Sequence, residues 1–121
     1  MRGLSALAGR ALFLRFGFVL YSLLILYISL RPLDGIDIRL THLDKLVHFL
    51  VYAVMAFLAY GVYRAYARPL SLAFGHTALF GVAIEGLQRF VPARSPSFAD
   101  VVFNILGSLV ALVCIRLLQK R

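Results

Sequence analysis

The stretch Glu85–Gly107, EGLQRFVPARSPSFADVVFNILG, decides how this chain is read. It places Glu85, Gln88, Arg89, Arg94, Asp100 and Asn104 between two segments apolar enough to lie in a bilayer. Hydrophilic side chains are costly in that setting, so a group of them marks a site by default. At helical spacing Glu85, Gln88 and Arg89 share a face of the segment before the turn. Asp100, Asn104 and Gly107 share a face of the segment after it. Pro92 and Pro96 break the helix between them and fold the two segments together, so the two polar faces are expected to meet.

The rest of the chain supports that reading. Of its 121 residues, 62% are hydrophobic and 15% charged, against about 45–50% and 25% for soluble domains. That balance belongs to a membrane protein. The formal charge of +8 raises the question of nucleic acid, but the basic residues lie between apolar blocks and form no stripe with interleaved aromatics, so no nucleic acid partner is expected. Cys114, the only cysteine, cannot form an internal disulfide and reads as a small apolar packing residue of the last block.

Four apolar blocks follow one another. Arg2, Arg10 and Arg15 precede an uncharged run from Phe16 to Leu30, as in a secretory signal, but Ser29-Leu30-Arg31-Pro32 offers no small-x-small cleavage site, and an uncleaved anchor is expected. Pro32 and Gly35 break the chain, and Ile36, Ile38 and Leu40 alternate with Asp37 and Arg39, which suits an extended or an interfacial piece. Thr41 and Asp44 fit a capping box opening the second block, and Ser97 with Asp100 fits a second one before the fourth. Ala73, Thr77 and Gly81 share a stripe with Glu85, and Gly107 lies four residues before Ala111. Such small residues let membrane helices approach closely. The spans are placed at about residues 12–30, 46–63, 70–88 and 100–118, each near the roughly 20 residues a crossing needs. The fold expected is an all-α, integral membrane four-helix transmembrane bundle, a single domain over the whole chain.

Four spans put both termini and the middle turn on one side. That side carries Arg2, Arg10, Arg15, Arg64, Arg68, Arg116, Lys120 and Arg121, and the other carries Arg31, Arg39, Lys45, Arg89 and Arg94. The excess favours cytoplasmic termini in the inner (cytoplasmic) membrane, with the polar site facing outward.

On the second block Asp44, His48 and Tyr52 are spaced by four and share a face, with Lys45 beside His48. The second and fourth helices both start at the outer side, and their free amide donors, together with Lys45, Arg89 and Arg94, would suit a phosphate or carboxylate. Glu85 and His48 are the candidate acid–base pair, although caps and headgroup anchors explain several of these residues equally well. His42, His48 and Asp44 match no strong metal template, and neither a metal nor a cofactor is expected. His76 stands alone in the third block, where a neutral histidine bonded to a neighbouring helix is the expected state.

The ordered set Asp44-Lys45-x-x-His48-x-x-x-Tyr52, Glu85-x-x-Gln88, Arg94 and Asp100-x-x-x-Asn104-x-x-Gly107 resembles the VanZ-like family of small bacterial membrane proteins. The likeness runs from about Leu33 to Ala111 and departs from the family at Ala93, where many members have glycine before the arginine. The family takes its name from a protein linked to resistance against teicoplanin, a lipid-bearing glycopeptide antibiotic. The resemblance implies a polar site at Asp44, Lys45, His48, Tyr52, Glu85, Gln88, Arg94, Asp100 and Asn104, without saying whether it catalyses, binds or braces.

Three uses follow. An outer-face pocket would bind envelope lipid headgroups or a lipoglycopeptide. A membrane-embedded enzyme would act on a lipid-linked envelope precursor through Glu85 and His48. A small transporter, whose pathway an oligomer could supply, or a structural scaffold that supports a partner protein is the third. Membrane lipids are the partners common to all.

Overall fold

The computed structural model describes the backbone of residues 2–32 and 41–121, with side chains described for 6–32 and 43–121. The alternating piece around Ile36, Ile38 and Leu40, the Thr41 half of the first capping box, and His42 lie outside the described side chains.

Four helices cross in turn: α1 (Arg2–Leu30), α2 (Thr41–Tyr63), α3 (Pro69–Gln88) and α4 (Phe98–Gln119). Each is long and apolar enough to span a membrane, so the chain is a multi-pass membrane protein. The expected blocks reappear with one notable extension, since α1 begins ten residues before its predicted span. Its 29 residues rise roughly 44 Å at 1.5 Å each, beyond the roughly 30 Å hydrocarbon core, which leaves Arg10 and Arg15 free to reach the boundary.

Local chemistry sets the helix ends. Pro69 opens α3 in the first-turn position where its missing N–H costs nothing. Ser97 caps α4, its hydroxyl accepting from the Ala99 N–H at 3.2 Å. The predicted capping box is only half formed, and this corrects the sequence reading. Asp100 does not reach back to Ser97. Glu85 does so instead, across the turn, with the Ser97 N–H donating to its Oε2 at 3.3 Å.

The bundle core is α2 against α4, the most extensive contact, with α3 packed on both. Lipid tails are as apolar as leucine, so this packing rests on close approach rather than on exclusion of water. Gly107 allows it: a Cβ there would run into the Phe49 backbone carbonyl. Met55, Ala56 and Ala59 of α2, Ala73 and Thr77 of α3 and Ser108 of α4 are completely buried, so the predicted Ala73–Thr77–Gly81 stripe faces inward. α1 packs on α2 and α3, is not among the partners of α4 in the described residues, and shows most of its surface, including Leu12, Phe13, Phe16 and Tyr27, to the lipid. The Tyr21 hydroxyl ties it to α2 by donating to the Val51 carbonyl at 2.8 Å. Cys114 corrects its sequence reading: it is exposed and packs no core.

Among the described residues, no buried side-chain polar atom away from the predicted site lacks a hydrogen-bond partner. Tyr63 Oη and His76 Nδ1 lie 3.0 Å apart between α2 and α3, as expected of a lone histidine in that block. Thr77 donates to the Ala73 and Phe74 carbonyls of its own helix at 3.0 and 3.1 Å.

Candidate functional site

The up-and-down order brings the C-terminal ends of α1 and α3 together with the N-terminal ends of α2 and α4. A cavity of about 700 Å³ opens among them. Its polar lining comprises Ser29 from α1, Asp44, His48 and Tyr52 from α2, Glu85 and Gln88 from α3, Asp100 and Asn104 from α4, and Arg94 and Ser95 from the turn. The two polar faces and the α2 face therefore meet, as the spacing predicts.

The basic residues do not gather as predicted. Lys45 bonds Asp44 Oδ2 at 2.9 Å and also Asp100 Oδ1, so its ammonium bridges the first turns of α2 and α4 instead of facing the cavity. Arg89 follows the last turn of α3 as its C-cap, is exposed, and does not line the cavity. Arg94 lines it but is engaged: Nε donates to the Arg31 carbonyl at 3.0 Å and an Nη to the Ile28 carbonyl at 2.6 Å. With Gln88 Nε2 on the Ser29 carbonyl at 2.9 Å, it satisfies the free carbonyls where α1 ends. Partial burial lowers the Arg94 guanidinium from its ordinary value, opposed by the fields of Asp44 and Glu85. A guanidinium keeps its charge regardless.

His48 is oriented by Asn104. Its Nδ1 lies 2.9 Å from Asn104 Oδ1, and because an amide oxygen has no proton to give, Nδ1 is the donor. The other ring nitrogen faces Asp44 Oδ1 at 3.7 Å and Asp100 Oδ2 at 3.8 Å. One ligand atom each from Asp44, His48 and Asp100 lie within 4.8 Å of one another, a spacing that could hold a metal ion. This set differs from the His42, His48 and Asp44 combination weighed from sequence. The Lys45 ammonium already serves both of its carboxylates, and an ion would have to compete with it.

Three buried polar atoms have no hydrogen-bond partner in the described residues: Tyr52 Oη, Glu85 Oε1 and Asn104 Nδ2. Their residues are 3%, 5% and 2% exposed, belong to three different helices, and all line the one cavity. An unmade bond of a buried group costs about 1–3 kcal/mol, so three around one space are a marked concentration of unmet bonding. Gly81 makes the convergence feasible, since a Cβ there would stand 3.0 Å from the Tyr52 ring and 3.3 Å from Asn104 Nδ2.

Sequence reasoning missed the contribution of α1. Ile25, Ile28 and Ser29 line the cavity, and the Ile28 and Ser29 carbonyls hold Arg94 and Gln88 in place. The available signal was negative: a helix stopped by Pro32 leaves carbonyls without partners, and donors must come from elsewhere. Ala93 has a φ of 60°, a left-handed conformation that glycine adopts freely and alanine does not, so alanine is strained at this position and nothing in the structure explains its presence.

The family model described as VanZ/LLP1 matches residues 25–119, which covers most of the chain, including the last turns of α1. No curated protein and no solved structure matches it.

Proposed function

This chain belongs to the VanZ/LLP1 family, and from that premise we propose that it is an inner-membrane protein with both termini cytoplasmic, whose outward cavity binds the polar head of an envelope lipid or of a lipoglycopeptide. The observation that carries the reading is the convergence of Tyr52 Oη, Glu85 Oε1 and Asn104 Nδ2, unpartnered and buried, on one cavity. A bundle that only needed bracing would gain by satisfying or deleting them. The apolar part of the lining, which includes Ile25, Val51 and Ile84, suits a molecule anchored in lipid. Binding of a teicoplanin-type head, and with it a change in susceptibility, follows only where that head competes for the same space.

Native mass spectrometry of the protein released from its own membrane tests this reading. A retained lipid adduct is expected in the unaltered chain and its loss in a Tyr52→Phe, Glu85→Gln double variant of unchanged melting temperature. Identical adducts in both would contradict the proposal.

One observation favours a second reading. His48, with Nδ1 held by Asn104, and Glu85, with Oε1 unpartnered, line the same cavity and supply a base and an acid for proton transfer on a lipid-linked precursor. In that case Glu85→Gln abolishes turnover of such a precursor while its binding persists.

A further inference from the structure

The cations expected to receive an anion are each partly engaged within the fold or lie outside the cavity, and that narrows what the cavity can take. Lys45 is shared between Asp44 and Asp100, Arg94 gives two of its five N–H donors to the Ile28 and Arg31 carbonyls, and Arg89 is exposed outside the cavity. Three carboxyl groups remain in its lining, those of Asp44, Glu85 and Asp100. A phosphate placed there would offer acceptors to Tyr52 Oη and Asn104 Nδ2 but would press its charge against an ionised Glu85.

The three unpartnered atoms differ in what they need. Asn104 Nδ2 only donates, Glu85 Oε1 accepts when ionised and can also donate when protonated, and a tyrosine hydroxyl does either. An ammonium group, which only donates, would leave Asn104 without an acceptor. A phosphate would serve Asn104 but leave an ionised Glu85 unmet. A hydroxyl both donates and accepts, so two or three hydroxyls on one ring meet all three atoms together. The apolar residues of the lining, Ile25, Val51 and Ile84 among them, can meet the C–H face of such a ring, and about 700 Å³ lies within the range of sites that enclose small ligands.

We propose that the head group recognised by this cavity is uncharged and rich in hydroxyls, a glycosyl group, with Glu85, Tyr52 and Asn104 as the residues that select it. This rests on the reading that the cavity binds a polar head at all, and the experiment separates the two.

The test uses the full chain, delipidated in lauryldimethylamine oxide, a detergent without hydroxyl groups. Binding is measured for monoglucosyl diacylglycerol, phosphatidic acid and phosphatidylethanolamine with identical acyl chains. The glucolipid is expected to bind about tenfold more tightly than either of the others. That preference should vanish in Tyr52→Phe and in Glu85→Gln, both checked for an unchanged melting temperature. Methyl glucoside in excess should displace the glucolipid and glycerol phosphate should not, which assigns recognition to the sugar rather than to the chains. Tighter binding of phosphatidic acid or phosphatidylethanolamine, abolished by the same variants, would overturn the glycosyl assignment and keep the pocket. Equal binding of all three, unaffected by the variants, would overturn both.

Discussion

The two ends of the bundle treat their polar side chains differently. Toward the α2–α3 turn, Tyr63 meets His76 at 3.0 Å, Gln119 Nε2 donates to Tyr60 Oη, and the rest is small-residue packing around Ala56, Ala59 and Ala73. At the other end the same kind of helix packing surrounds a cavity in which Tyr52, Glu85 and Asn104 each keep an atom without a partner. Two tyrosines eleven residues apart on α2 thus have opposite situations. The difference teaches that the polar residues of this chain are not interchangeable helix glue: one set closes on itself, and the other is held open.

The largest expected effect breaks the frame common to both ends. Gly107→Ala drives a methyl into the Phe49 carbonyl and should destabilise the bundle by about 3 kcal/mol, the upper range for overpacking. Gly75→Ala, with nothing within 4 Å of the new methyl, should leave stability almost unchanged. Unfolding in mixed micelles measures both.

Next in size is the ion pair that closes the first turns of α2 and α4. Lys45→Met leaves the Asp100 carboxylate, whose side chain is only 9% exposed, without its cation, and a loss of about 2 kcal/mol is expected, moderated by the exposure of Lys45 and Asp44. Adding Asp100→Asn should recover part of it, because the charge left behind is then removed. A smaller effect of opposite sign is expected at the turn. Ala93→Gly relieves the left-handed backbone at φ 60° and should raise stability by about 1 kcal/mol. A lower melting temperature for that variant would mean that the turn owes its shape to something other than its own torsion angles.

Much of this was legible in the residues, for identifiable reasons. Block length and hydropathy placed four helices, and period-four spacing put Asp44, His48 and Tyr52 on one face and Asp100 with Asn104 on another. The small-residue stripe on α3 pointed inward because close packing requires it. What escaped the reading is what depends on pairing across the fold. Spacing on α2 cannot reveal that Lys45 lies against Asp100, fifty-five positions away, so its cation was assigned to a ligand instead of to a neighbour. The capping box before α4 misled for a similar reason, since the acid that meets the Ser97 N–H is Glu85 of the preceding helix. Arg94 looked free because its partners are backbone carbonyls at and just beyond the end of α1, which no side-chain pattern records.

The comparison of Tyr52 with Tyr63 offers the most direct test of the central claim, that one end of the bundle is held open for a ligand. Melting of Tyr52→Phe and Tyr63→Phe is measured in lauryldimethylamine oxide after delipidation. The account predicts that Tyr63→Phe loses about 1 kcal/mol by stranding His76, whereas Tyr52→Phe is as stable as the unaltered chain or more so, because its hydroxyl has no bond to lose. A loss of equal size in Tyr52→Phe would show that the hydroxyl is satisfied within the fold, and the cavity would then have no unmet bonding to offer a ligand.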